Sequence, residues 1–197
     1  MRLAVSTQLR ERFGEIDIYL FDQLLRGRFD ARPRILDAGS GSGRNLPFFV
    51  SHGYQVTAID REATAVAALR QVVPGAVQGD IDALPWADET FDAVICSAVL
   101  HFARDASHWE AMVREMWRVL RRRGLFFARL ASSIGLEPLL PATTGRMRLP
   151  DGSDRFVVNE EMLMRITRSL SGQLLDPLKT TVVQGQRAMT TWVAEKL

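Results

Sequence analysis

The sequence predicts an α/β fold: a doubly wound, mostly parallel sheet of seven strands closed by a C-terminal antiparallel hairpin. Three observations predict it. Short apolar runs alternate with amphipathic stretches of helical period through the first 130 residues. The first of those runs ends in a glycine cluster that opens a helical stretch. The chain closes on two β-rich runs joined around Gln184-Gly185-Gln186. No repeat or linker divides it, so residues 1–197 read as one domain. Within it, 1–30 form an N-terminal helical cover, 34–130 the core, 131–157 a candidate lid, and 158–197 a helix plus the hairpin.

Ile16, Tyr19, Leu20, Leu24 and Leu25 are spaced for one helix face. Arg34-Ile35-Leu36-Asp37-Ala38 is a short buried strand, followed by Gly39-Ser40-Gly41-Ser42-Gly43 and a helix from Asn45 to about Gly53. Gln55 to Asp60 is the second strand, Ala63 to Gln71 a helix, and Ala76 to Gly79 a weak third strand after Pro74-Gly75. Phe91 to Ser97 is the clearest strand in the chain. Trp109, Met112, Val113, Met116 and Leu120 then mark a helix face. Its basic end, Arg121-Arg122-Arg123, suits a helix C-terminus. Gly124 to Leu130 is the fifth strand, and Ala131 to Phe156 is irregular and rich in Pro and Gly. Asn159 caps a last helix with Glu160 and Glu161 in its first turn, ending at Gly172. Leu174 to Val183 and Arg187 to Glu195 form the hairpin.

Of 197 residues, 47% are hydrophobic and 24% charged, which suits a globular core and argues against disorder. No apolar run approaches the roughly 18–20 residues of a membrane helix, and the polar N-terminus lacks a signal-peptide core, so a cytoplasmic protein is expected. Cys96 is the only cysteine and lies inside a strand, so no disulfide framework is available. Three separated histidines and one cysteine give no metal-ligand spacing, and no metal is expected. The net charge of +2 is spread along the chain, so nucleic acid is not an expected partner.

The glycine loop carries the functional signal. Gly39, Gly41 and Gly43 let the backbone turn sharply and approach a ligand, with helix N–H groups just beyond. A dinucleotide fingerprint would need glycine at position 44, which is Arg, and no G-K-S/T follows for a triphosphate. Asp60 closes the second strand, where a fixed carboxylate can accept both hydroxyls of a ribose; the bland reading is a cap for the next helix. Asp80 can accept from an adenine amino group with Ile81 as an apolar face, or can be an ordinary turn carboxylate.

Leu36 to Gly43, Val56 to Asp60, Gly79-Asp80-Ile81 through Leu84-Pro85, Phe91 to Ile95 and Arg118-Val119-Leu120 together resemble the successive motifs of class I S-adenosylmethionine-dependent methyltransferases, over residues 34–130. The length and C-terminal pattern are also similar to small bacterial methyltransferases of the tellurite-resistance type. The resemblance implies a Rossmann-like sheet, S-adenosylmethionine as cofactor and S-adenosylhomocysteine as product. It implies that Gly39, Ser40, Gly41 and Gly43 make room for the methionine part, with Asp37 steadying the loop or meeting the amino group. Asp60 would hold the ribose hydroxyls, Arg61 would stack on adenine, Asp80 and Ile81 would contact adenine, and Ser97 would face the amino group. The usual basic-Pro-Gly-Gly turn is replaced by Arg121-Arg122-Arg123-Gly124, and no Asn/Asp-Pro-Pro-Tyr follows the fourth strand.

A sulfonium methyl is already activated, so few catalytic side chains are required. His101 is the candidate general base, against the alternative that it only lines the pocket or bonds backbone. His52 and His108 fall at helix ends and read as surface residues. Residues 1–30 and 131–157 leave little surface for a large partner, so the expected acceptor is a small molecule. Phe13, Tyr19 and Phe21 are available to cover the site, with ordinary packing as the blander reading, and Arg146, Met147 and Arg148 to meet an anion. Two alternatives from other classes stand beside it: an RNA methyltransferase, whose binding would fall steeply with salt, and a non-catalytic cofactor-binding protein. An oxidoreductase using NAD is disfavoured by Arg44.

Overall fold

The computed structural model describes residues 5–136 and 144–197. Two helices, α1 (Val5–Phe13) and α2 (Ile18–Leu25), precede the sheet. Five parallel strands follow: β1 (Arg34–Ala38), β2 (Gln55–Asp60), β3 (Val77–Gln78), β4 (Phe91–Ser97) and β5 (Leu120–Ser132). They are connected through α3 (Pro47–Ser51), α4 (Ala63–Leu69), a 3-10 turn at Leu100–Phe102, and α5 (Ala106–Val119). A small hairpin of β6 (Gly145–Arg148) and β7 (Asp154–Val157) leads to α6 (Glu160–Ser169). The chain ends with β8 (Gly172–Leu174), β9 (Lys179–Val183) and β10 (Arg187–Lys196).

The strand order is β3-β2-β1-β4-β5-β10-β8, with β9 also on β10. Eight strands therefore occupy seven positions. The run expected as one strand over 174–183 is broken, because Pro177 cannot donate to a ladder. Leu174 is the last residue of β8 and Lys179–Val183 form β9, and both strands share one edge of β10: β8 pairs with Ala194–Lys196 and β9 with Arg187–Thr191.

Strand side chains alternate between two cores. Leu36, Val94, Cys96, Phe126 and Ala128 pack with Trp109, Met112, Met116, Leu163 and Ile166 from α5 and α6. Ile35, Ala93, Ile95, Leu125 and Phe127 pack on the opposite face with Leu20, Phe29 and Phe49. Burial on both faces is why these strands are almost continuously apolar. Phe127 and Trp109 are fully buried or nearly so, and truncating either to alanine costs about 3–5 kcal/mol.

The end of α5 differs from the sequence expectation. The helix stops at Val119, Leu120 is already extended, and β5 begins there without an intervening loop. The Arg121-Arg122-Arg123 run thus lies on a strand, beside a register shift between Phe91 and Ala93. Arg123 takes a φ of 61°, and a Cβ on Gly124 would sit 2.7 Å from the Arg121 carbonyl oxygen. Arg121 reaches buried Asp92 at 2.9 Å, and Arg123 reaches Glu195 at 2.8 Å. The last helix follows the expectation at its start: Asn159 accepts from the Met162 N–H. It ends earlier, at Ser169. The expected lid over 131–157 contains the β6–β7 hairpin, while its residues 137–143 lie outside the described residues. No described helix is long and apolar enough to cross a membrane.

Candidate functional site

The carboxyl ends of β1, β2 and β4 open into a cavity of about 830 Å³. Ligands collect at this edge in open α/β sheets because the strand order reverses there. The loop after β1 forms one wall. Gly39 and Ser40 both donate their N–H groups to the Ile59 carbonyl, at 2.8 and 3.1 Å, which pins the loop to the end of β2. The three glycines do different work. Gly39 has a φ of +77°, and a Cβ there would strike Val99 Cγ2 at 2.4 Å. Gly41 has a φ of +52° and open space where a Cβ would stand. Gly43 packs against α4, where a Cβ would lie 2.5 Å from Leu69 Cδ2, and it does not line the cavity.

Asp60 binds the loop with one oxygen and starts the next turn with the other: Oδ2 accepts from the Gly41 N–H at 2.7 Å, Oδ1 from the Glu62 N–H at 2.9 Å. A carboxylate has about four lone-pair sites, so two acceptor positions remain for a ligand. Asp60, Arg61, Asp80 and Ile81 all line the cavity, as do Gly39, Ser40, Gly41 and Ser97. Arg61 is mostly exposed and lies 3.9 Å from Glu62.

Asp37, on β1 before the loop, is 1% exposed and does not line the cavity, and its Oδ2 lacks any hydrogen-bond partner. Burial pushes its carboxyl up to about 7; Arg44 opposes the shift and Asp60 adds to it. Ser97 meets protein groups: its hydroxyl donates to Asp17 Oδ2 at 3.2 Å and accepts from Arg44 Nη2 at 3.0 Å.

The structure does not bring His101 to the cavity wall. Its ring is 6% exposed with Nδ1 unpartnered, and burial, aided by Arg155, holds it down to about 4, so it is neutral near pH 7. Cys96 is fully buried, and burial raises its thiol well above the ordinary range. Phe13 and Phe21 form an edge contact at 4.9 Å and Phe13 stacks on Phe48 at 5.5 Å, which is packing away from the cavity lining.

Several wall residues escaped the sequence reading. His108, expected on the surface, lines the cavity: Nε2 lies 3.3 Å from Asp82 and Nδ1 accepts from the Arg104 N–H. The i, i+4 spacing of His108 and Met112 was the available signal, since both line the cavity from α5. Arg44, Asn45 and Phe102 also line it. Arg44 and Asn45 directly follow the glycine loop, while nothing local marks Phe102.

Comparison with known proteins fits this geometry. Residues 36–128 match the family model described as a methyltransferase domain. A malonyl-[acyl-carrier protein] O-methyltransferase of Enterobacter lignolyticus is 35% identical over 113 residues, covering 55% of this chain and 44% of that protein. The chain spans less than half the length of such curated relatives. Two solved structures share the fold. The Burkholderia thailandensis 1,6-didemethyltoxoflavin-N1-methyltransferase, crystallised with its substrate and S-adenosylhomocysteine, superposes with a TM-score of 0.66 at 18% identity, covering 100% of this chain and 92% of that one. TehB of Haemophilus influenzae gives 0.67 at 17% identity, covering 90% and 62%.

Proposed function

We propose that the chain is a class I S-adenosylmethionine-dependent methyltransferase that transfers the methyl group of S-adenosylmethionine to a small-molecule acceptor, a reading supported by the match of residues 36–128 to a methyltransferase domain. The observation that carries this reading is the convergence of the glycine loop, Asp60 and the Asp80-Ile81 pair on one cavity. The residues fit the cofactor. Gly41 leaves the space a side chain would fill, and Asp37 keeps an unpartnered oxygen before the loop for a cationic group.

In this reading the lone pairs of Asp60 not used by Gly41 and Glu62 hold the ribose hydroxyls. Ile81 and Arg61 flank the adenine, Asp80 accepts from its amino group, and Asp37 faces the ammonium. Bound there, S-adenosylmethionine would supply an already activated methyl group. The chain's task is to align the acceptor and exclude water. A buried, neutral His101 outside the cavity lining is not in reach as a base.

The one basic cluster is partly neutralised, because Asp92 and Glu195 hold Arg121 and Arg123, which weakens the case for RNA. The fold neighbour acting on 1,6-didemethyltoxoflavin gives a precedent for a small-molecule acceptor. Calorimetric titration with S-adenosylmethionine, S-adenosylhomocysteine and NAD tests the reading. Micromolar binding of the first two, weakened about tenfold to a hundredfold in Asp60→Ala, is expected. Failure of both to bind the wild-type protein, or tight NAD binding instead, overturns it.

A further inference from the structure

Asp17 is the N-cap of α2, and it is unlike the other side-chain caps of this chain. Asp105 caps α5 in solvent and Asn159 caps α6 half-buried, each with a short local bond. Asp17 is 3% exposed. Its Oδ1 accepts from the Tyr19 N–H at 3.0 Å, which completes the cap. Its Oδ2 accepts from Ser97 Oγ at 3.2 Å and Arg129 Nη1 at 3.1 Å, and lies 3.6 Å from Arg44 Nη2. Its backbone N–H donates to Asn45 Oδ1 at 3.0 Å. Arg44, Asn45 and Ser97 all line the cavity.

Among the described residues, the cavity wall has three basic side chains: Arg44, Arg61 and His108. Arg61 follows Asp60 at the ribose end, and His108 is engaged with Asp82. Arg44 follows the glycine loop directly and uses Nη2 on Ser97 and Asp17. It is therefore the cation placed to meet an anion at the loop, and its rigid fork needs a fixed orientation to do so.

We propose that Asp17 is a positioning residue: it holds Arg44 and Ser97 so that they receive the free carboxylate and amino groups at the amino-acid end of the cofactor. This rests on the methyltransferase reading. A buried carboxylate flanked by two guanidiniums resists displacement, because removing either partner strands a charge.

The test compares two ligands. S-adenosylhomocysteine carries the amino-acid end, and 5′-methylthioadenosine lacks it. Asp17→Asn retains a good capping residue while deleting the charge. The expected result is about a tenfold loss of S-adenosylhomocysteine affinity with 5′-methylthioadenosine little changed. Arg44→Gln should show the same selective loss, and the double variant should bind S-adenosylhomocysteine no more weakly than Arg44→Gln alone. Equal weakening of both ligands, or unchanged or tighter S-adenosylhomocysteine binding in Asp17→Asn, overturns the proposal, as does additivity in the double variant. Failure of the wild-type protein to bind either ligand would instead remove the methyltransferase reading itself, and this proposal with it.

Discussion

The Gly41 N–H donates to Asp60 Oδ2 across 2.7 Å, so the loop after β1 and the carboxylate closing β2 form one unit without any ligand. The loop is held in shape before a cofactor arrives, which lowers the ordering cost of binding. Removing this carboxylate acts twice: it frees the loop and deletes the proposed ribose acceptor. Asp60→Ala should lower S-adenosylhomocysteine affinity by about tenfold to a hundredfold, the loss of one or two charge-assisted hydrogen bonds. Asp60→Asn can keep the loop bond through its amide oxygen, so its affinity should fall between. Calorimetry on the three proteins gives the order.

The three loop glycines should separate by phenotype. Gly39→Ala adds strain at a φ of +77° and a 2.4 Å clash with Val99, so both melting temperature and binding should fall sharply. Gly43→Ala at a φ of +75° meets Leu69 on α4 and should lose stability. It should affect binding less, because it is outside the cavity lining. Gly41→Ala meets no atom within 4 Å, so its folding cost should be about 1 kcal/mol from φ alone. Its methyl would take up ligand space, so its binding loss should exceed its stability loss. Thermal melts paired with S-adenosylhomocysteine titrations read both quantities.

His101 supplies a test on the acid side of neutrality. Burial first, and Arg155 second, lowers its pKa from 6.5 to about 4. The folded state therefore holds the proton less firmly than the unfolded chain. The resulting stability is fully present above pH 6.5 and is lost as pH falls toward 4. His101→Gln should flatten that acid-side slope in urea unfolding, while S-adenosylhomocysteine affinity stays within about twofold of wild type. A large affinity loss would return His101 to the site.

The parts legible in sequence are those whose signals are local. β1, β2 and β4 lie on their expected residues because each is a short apolar run with clear polar or turn boundaries. That the glycine loop, Asp60 and Asp80-Ile81 share one cavity was legible because they fall at or just after the carboxyl ends of successive strands. Asp17 was not: an N-cap looks the same in sequence whether its second oxygen meets water or Arg129, 112 residues away. The placement of Arg121 failed for a related reason, since α5 runs into β5 at Leu120 with no turn residue to mark the join. His108 was missed because a histidine at a helix start is ambiguous until the Asp105 cap fixes which way the first turn faces.

Asp37 should give opposite pH dependences for folding and for binding. Burial raises its carboxyl from 3.8 to about 7, so the folded protein holds this proton more tightly than the unfolded chain does. Its contribution to stability is fully present below pH 3.8 and is lost as pH rises toward 7, at up to about 1.4 kcal/mol per pH unit. A bound ammonium reverses the preference, because it favours the carboxylate. Affinity for S-adenosylhomocysteine should therefore rise as pH increases through about 7 while the free protein loses stability over the range just below. Asp37→Asn should abolish both slopes, leaving weaker and flatter binding with a fold that no longer destabilises across that window. Titration calorimetry and urea unfolding at matched pH values measure the two slopes. If wild type and Asp37→Asn show parallel binding profiles, the Asp37 carboxyl does not meet the cation.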